Sequence, residues 1–212
     1  MRNLPTLAAL ALPLLLGLAP ATLAQVADVR QDATAATRAR QAASLGTLDV
    51  NAPASFDDAR RGLIATPSGQ VRNAQGQVVW DFDALQFAQG EAPATVHPSL
   101  WRHARLNQTP GLYQVREGIW QLRGFDLANL TLIQGRTGWI VVDPLTTQET
   151  AAAALAFARQ HLGAQPVSGL VFTHSHVDHF GGALGVLTAQ DAKARSVPIV
   201  APVGFMEEAT SE

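Results

Sequence analysis

Residues 169–182 read GLVFTHSHVDHFGG, and this stretch decides the class of fold. The apolar run from Gly169 to Phe172 predicts a buried strand. Three of the six histidines in the chain follow that strand within six residues. Side chains just past the carboxyl end of a strand occupy the usual position of a binding site in an α/β fold. The segment therefore predicts an α/β protein in which these histidines form one wall of a metal centre.

The spacing of the cluster indicates how it would bind metal. His174 and His176 lie two residues apart, so in an extended segment their side chains point the same way and can bind one ion. The chain then turns after Val177, which directs Asp178 and His179 toward a second ion. Two ions about 3.5–4 Å apart can share a hydroxide and hold an anionic substrate. A polar turn with incidental histidines is the alternative, but it does not explain the spacing.

Composition limits the other possibilities. The chain has 212 residues, of which 47% are hydrophobic, and a formal net charge of −2, so we expect a globular protein with no basic excess for nucleic-acid binding. It contains no cysteine, which excludes disulfides and thiolate ligands. Any metal must be bound by His, Asp and Glu, a donor set that suits zinc or another borderline ion.

Residues 1–24 have the pattern of a secretory signal peptide. A short positive start at Arg2 precedes an apolar run from Leu4 to Ala24 that ends in small residues. A transmembrane anchor is the alternative, because the run approaches spanning length. Three prolines in the run and the lack of a basic flank beyond it argue against an anchor. We therefore expect cleavage near Gln25, a periplasmic or secreted protein, and no stable membrane anchor after cleavage.

The rest of the chain divides into two parts by pattern. Residues 25–110 predict an N-terminal extension of short helices, a hairpin and proline-bearing links. From Gly111 onward, paired strands give way to alternating helices and strands, which predicts an α/β layered domain over residues 111–212. Within it, the wholly apolar run from Trp139 to Val142 predicts a central strand buried on both faces.

Two helices are predicted around this central strand. A capping box at Thr146 and Glu149 predicts the start of the first helix, and Gly163 predicts its end. Residues 182–190 predict the second helix, which follows the histidine cluster directly.

Several other polar residues are candidates for the site. Asp143 ends the central strand, and it has two open interpretations: a carboxylate that orients a metal-bound imidazole, or an acid of a strand-ending turn. His97 and His103 are isolated beside proline and tryptophan, which favours structural roles. Glu207 and Glu208 are interpreted as acids at the start of a helix.

The motif HxHxDH after a strand resembles that of the metallo-β-lactamase superfamily. The flanking segments 92–107, 118–127 and 138–151 resemble the alkyl sulfatases of that superfamily, and the similarity extends from about Phe56 to the end of the chain. This resemblance implies an αββα sandwich, of which the chain would supply the N-terminal part after its signal peptide and extension.

The resemblance also implies an activity. Alkyl sulfatases hydrolyse alkyl sulfate esters such as dodecyl sulfate to an alcohol and inorganic sulfate. By matching positions, His174 and His176 would bind one Zn²⁺, and Asp178 and His179 would bind a second. The family's remaining ligands, its sulfate-binding arginine and its dimerisation region would lie beyond Glu212. We therefore expect a homodimer from the full-length protein, and an incomplete, inactive fragment from these 212 residues alone.

Two alternatives remain open from the sequence. The first is another hydrolase of the same superfamily, acting on lactams, thioesters or phosphodiesters. The second is a non-catalytic exported fragment. The sequence assigns no catalytic residue beyond the four metal ligands.

Overall fold

A seven-stranded sheet forms the centre of the computed structural model, which describes residues 31–211. Its strand order is β1-β4-β5-β6-β7-β8-β9, and β2 and β3 form a separate hairpin. The strands are β1 (Leu63–Ala65), β2 (Gln70–Arg72), β3 (Val78–Asp81), β4 (Gly111–Arg116), β5 (Ile119–Arg123), β6 (Leu130–Gln134), β7 (Trp139–Val142), β8 (Val167–Val171) and β9 (Ile199–Val200).

Helices flank the sheet and connect its later strands. They are α1 (Ala35–Leu45), α2 (Pro53–Arg60), α3 (Pro98–Leu106), α4 (Gln148–Leu162), α5 (Val177–Phe180), α6 (Ala183–Val186), α7 (Ala189–Ala194) and α8 (Phe205–Ser211), with a 3₁₀ helix at Asp83–Phe87. Strands β1 and β4 to β7 pair antiparallel, whereas β7, β8 and β9 run parallel. The predicted α/β class is confirmed.

The connection between β7 and β8 positions the site. Parallel strands need a crossover, and α4 supplies it. Val142 pairs with Val171 at the ends of the two strands, so both strands end at the same edge of the sheet. Asp143 follows one strand there and Phe172 follows the other, which brings distant parts of the chain together.

In the hydrophobic core, residues of α4 and residues from one face of the sheet form a single buried cluster. Val141 pairs with Leu132 on one side and with Leu170 on the other, and all three side chains are buried. From α4, Ala151 and Ala154 are fully buried in the same cluster. Because these alanine side chains are short, they permit close packing of the helix in this core, and the removal of apolar surface from water stabilises the arrangement.

Two details of this region differ from the predictions. Trp139 and Val141 are fully buried, but Ile140 and Val142 are only half-buried, so burial of β7 on both faces was wrong for these residues. The residue that caps α4 is Thr147, whose side chain accepts a hydrogen bond from the amide of Thr150 at 3.1 Å. The cap predicted at Thr146 was wrong by one residue.

The end of α4 follows the prediction. Gly163 comes directly after Leu162 with φ 89°, a conformation that glycine adopts without steric penalty.

The helix predicted over residues 182–190 is instead interrupted. Helix α6 ends at Val186, and Leu187 is extended with φ −148° and ψ 114°. Thr188 then caps α7, accepting a hydrogen bond from the amide of Asp191 at 3.0 Å. The physical reason is burial: the extended backbone keeps the Leu187 side chain in the core, at 5% exposure.

The predicted extension contributes to the sheet, because β1 pairs with β4 at its edge. Residues from Ala33 onward form one compact unit. Within residues 31–211, the structure contains no helix long and apolar enough to cross a membrane. The predicted signal peptide, residues 1–24, lies outside the described residues.

Candidate metal centre

The site is built where β7 and β8 end. The Asp143 carboxylate, which follows β7, accepts two hydrogen bonds from Thr173, which lies beyond β8. Thr173 donates its amide to Oδ1 at 2.8 Å and its hydroxyl to Oδ2 at 2.6 Å. These contacts fix the start of the histidine segment to the neighbouring strand, 30 residues earlier in the chain.

Two imidazoles are held through their Nδ1 atoms. His179 Nδ1 lies 2.9 Å from Asp143 Oδ2, and His174 Nδ1 lies 2.9 Å from the hydroxyl of Thr173. A histidine whose Nδ1 donates to an oxygen acceptor presents the other ring nitrogen, Nε2, as a metal donor. Asp143 and Thr173 together therefore orient two imidazoles at one place.

All four predicted ligands lie near one another. The ring centroid of His174 is 4.0 Å from that of His179 and 4.7 Å from that of His176. Asp178 Oδ2 is 3.4 Å from His179 Nε2. The four side chains are partly or largely accessible, so they face a region that a small ligand can reach.

The donor set fits a metal ion such as zinc. Asp143, His174 and His179 each offer a ligand atom, and these atoms lie within 4.8 Å of one another. Both oxygens of Asp143 already accept hydrogen bonds, from Thr173 and His179. We therefore interpret Asp143 as the residue that orients the imidazoles, and His174 and His179 as metal donors. The hydrogen bonds favour the orienting interpretation that the sequence had left open.

The glycines after the cluster allow two loops to touch. A Cβ on Gly182 would lie 2.1 Å from the carbonyl oxygen of Pro144, and one on Gly181 would lie 2.3 Å from that of Thr146. The Gly182 amide also donates to the Leu145 carbonyl at 2.8 Å. Because glycine has no side chain, the backbone after the histidine segment can lie this close to the loop after β7.

Asp126 is a residue that sequence reasoning missed. It is 8% exposed and accepts hydrogen bonds from the Thr146 hydroxyl at 2.6 Å, the Thr150 hydroxyl at 2.5 Å and the Leu127 amide at 2.6 Å. The Thr146 amide adds a longer bond of 3.2 Å. Asp126 therefore fixes the loop against which the histidine segment packs. Its sequence signals were an acid between two apolar strands and a place in the segment 118–127 that resembles the alkyl sulfatases.

Two other histidines and the late glutamates lie in or beside helices α3 and α8. His97 precedes α3 and accepts a hydrogen bond from the Ser99 amide at 3.3 Å, and His103 contacts Asn107 at 3.2 Å. Glu207 and Glu208 lie in the first turn of α8.

The histidine segment lies within a match to a known protein family. Residues 123–212 match the metallo-beta-lactamase superfamily, and this match includes the histidine segment. The resemblance inferred from the motif is therefore confirmed for this part of the chain.

The chain is also similar to curated alkylsulfatases. The chain is 49% identical over 181 residues to an (R)-specific secondary-alkylsulfatase of Pseudomonas sp., covering 85% of this chain and 27% of that protein. It is 43% identical over 189 residues to a linear primary-alkylsulfatase of Pseudomonas sp., covering 88% of this chain and 28% of that protein. The chain thus spans just over a quarter of the length of these relatives.

A solved structure agrees. The stereoselective inverting sec-alkylsulfatase Pisa1 from Pseudomonas sp. matches with a TM-score of 0.80 and 49% identity. The match covers 86% of this chain and 29% of that structure. The similarity in fold therefore extends across both the predicted extension and the site.

Proposed function

We propose that the protein to which this chain belongs hydrolyses alkyl sulfate esters to an alcohol and inorganic sulfate. The observation that carries the proposal is 43–49% identity to two named alkylsulfatases over 85–88% of the chain. The donor chemistry supports it, because the cluster is made of imidazoles and a carboxylate, which suit zinc.

The proposed ligands follow the sequence prediction. His174 and His176 would bind one zinc ion, and Asp178 and His179 would bind a second. When bound, such ions lower the pKa of a coordinated water and hold the anionic oxygens of the ester. The reaction consumes one water, whose oxygen goes to either the sulfur or the carbon of the ester.

The residues behind the ligands have a separate task. Asp143 accepts from His179, and Thr173 contacts His174, so both imidazoles keep one tautomer and one ring orientation. Asp126 holds the loop beneath them through Thr146 and Thr150. We therefore assign the chemistry to the histidine segment and the positioning to the two buried aspartates.

The activity can be tested on the protein that carries this chain. Release of inorganic sulfate from decyl sulfate, kept below its critical micelle concentration, should depend on added zinc. His174→Ala should lower the rate by more than about 100-fold, because loss of a ligand exceeds the effect of losing an outer partner. His97→Ala is the matched control and should leave the rate unchanged.

The same assay separates the alternatives. A cephalosporin and a bis-aryl phosphate are offered in parallel with decyl sulfate. Preferential turnover of either of these compounds would replace the proposed substrate class with another of the superfamily. Sulfate release that is equal in His174→Ala and in the parent protein would refute the assignment of the site.

Metal binding can be measured on the 212-residue chain itself. Equilibrium dialysis against zinc should show saturable binding that His174→Ala and His179→Ala weaken. His97→Ala and His103→Ala keep the number of histidines equal to that of these variants, and they should bind zinc as the parent chain does.

We also propose export and dimerisation. The pattern of residues 1–24 supports a cleaved signal peptide, so the exported protein should begin near Gln25 on N-terminal sequencing. Retention of Met1 would contradict it. The alkyl sulfatase resemblance supports a homodimer, which sedimentation of the whole protein can test.

A further inference from the structure

A cavity of about 470 Å³ lies outside the metal centre, between α1, α3 and the segment around Gly90. Its volume is within the range of about 300–1,000 Å³ that is typical of small-molecule sites. None of the residues of the histidine segment lines it. The cavity therefore needs an explanation of its own.

Helix α1 presents one face to this cavity. Arg38, Ala42 and Leu45 line it with the spacing i, i+4, i+7, which places them on a single side of the helix. Leu45 is 50% exposed, and α1 has no buried residue. The stripe thus has helix-packing geometry, although it leaves α1 without a buried side chain.

Helix α3 faces it with the same periodicity. Pro98, Trp101, Arg102 and Arg105 follow the spacing i, i+3, i+4, i+7 and line the opposite wall. Trp101 is fixed by a hydrogen bond from its indole to the Gly90 carbonyl at 3.2 Å. A helical stripe with this spacing is ordinarily apolar. Here the stripes of α1 and α3 bring both apolar and cationic side chains to the cavity.

The arginines on α3 are held by neutral partners. Arg102 donates to the Ser55 hydroxyl at 2.6 Å, and Arg105 donates to the Asn51 side-chain oxygen at 3.0 Å while its guanidinium lies 5.0 Å from the ring centre of Phe56. Neutral partners fix the guanidinium groups without compensating their charge. The groups are thereby oriented in advance for an anion.

The charge of the side chains that line the cavity points to an anion. Among the described residues, three arginines and one glutamate line the cavity, an excess of two positive charges.

We propose that this cavity binds a single-chain amphiphilic anion, an alkyl chain with a sulfate, sulfonate or carboxylate head. The head would bind to the guanidinium groups of Arg102 and Arg105. The chain would contact the apolar side chains of Leu45, Val50 and Trp101, whose removal from water favours binding. The site is separate from the metal centre and does not rest on the proposed hydrolysis.

The test uses octane-1-sulfonate, which resists hydrolysis, below its critical micelle concentration. Isothermal titration calorimetry on the 212-residue chain in EDTA keeps metal out of the measurement. Saturable binding of one molecule per chain is expected. The double variant Arg102→Gln, Arg105→Gln should bind at least about tenfold more weakly, because charge-assisted hydrogen bonds are lost.

Variants on α1 test whether octane-1-sulfonate binds in this cavity. Ala42→Trp fills the cavity without changing charge and should weaken binding as strongly as the double variant. Arg40→Gln and Ala43→Trp alter exposed positions of the same helix outside the cavity and should bind as the parent does. Circular dichroism confirms that each variant is folded, and Ala42→Trp decides the matter where the arginine variant is unfolded.

Four results would overturn the proposal. They are the absence of saturable binding, equal weakening by the two control variants, equal affinity for the uncharged octyl glucoside, and equal affinity for inorganic sulfate. The third result would show that charge is not recognised, and the fourth that the alkyl chain is not.

Discussion

The loops after β7 and β8 lie side by side, yet they are built in opposite ways. In the first loop, Asp143 and Leu145 have positive φ values of 54° and 67° and are buried. In the second, His176 has an ordinary extended backbone and an exposed side chain. The strained, buried loop acts as a scaffold, and the relaxed, accessible loop presents the candidate metal donors.

The difference explains how a few accessible imidazoles can be held in place. Positive φ is costly for residues other than glycine and persists where surrounding contacts fix it. Asp126 supplies such contacts through Thr146 and Thr150, and Gly182 packs on the Pro144 carbonyl. The loop after β7 thus holds the loop after β8 in place, and each contact between the two loops can be tested separately.

The largest effect is expected from Gly182→Ala. The new methyl group would lie 2.1 Å from the Pro144 carbonyl and 2.6 Å from the Thr147 carbonyl, so the two loops must separate. We expect a loss of about 3 kcal/mol in the free energy of unfolding, at the upper end for overpacking. Urea unfolding measures it. Gly46→Ala is the control: its nearest contact would be 3.4 Å, and it should be close to neutral.

The second largest effect, a loss of about 2 kcal/mol in the free energy of unfolding, is expected from Asp126→Asn. The side-chain NH2 group of asparagine is a donor, and it would face hydroxyl and backbone amide donors that the carboxylate now accepts from. The same unfolding measurement applies. Asp57→Asn changes an exposed aspartate and should cost less than about 0.5 kcal/mol. Equal stability of Asp126→Asn and Asp57→Asn would show that the scaffold loop does not depend on this carboxylate.

Asp143→Asn should affect metal binding more than folding. Asparagine tolerates positive φ, so the backbone is kept. Its amide group cannot replace both acceptor oxygens, and we expect zinc affinity to fall by at least about tenfold, as for other partners behind metal ligands. Competition with a chromogenic chelator measures it. Asp126→Asn is the comparison, and a larger loss of affinity there would reverse the roles assigned to the two aspartates.

Thr173→Val should give the smallest effect. Valine keeps the branched shape but removes the hydroxyl that contacts Asp143 and His174. We expect zinc affinity to fall about threefold, equivalent to one modest hydrogen bond. Thr137→Val, in an exposed turn, should leave affinity unchanged. If Thr173→Val binds zinc with the parental affinity, contacts other than the Thr173 hydroxyl must orient His174.

The sequence predicted features that depend on local pattern. The strand that ends before Thr173, the stop of α4 at Gly163 and the spacing of His174, His176 and His179 all follow from periodicity and residue chemistry. Errors occurred where tertiary packing overrides local preference. Thr146 has the chemistry of a helix cap, but Asp126 accepts from its hydroxyl, and Thr147 caps the helix instead.

By itself, the sequence determined the α/β class, the candidate metal donors and the resemblance to alkyl sulfatases, because these depend on side-chain chemistry at fixed spacing. Only the tertiary structure decided that Asp143 orients His179, that Asp126 holds the loop beneath, and that two helical stripes enclose a cationic cavity. These contacts join residues distant along the chain, and no local pattern encodes which distant partner a buried acid will have.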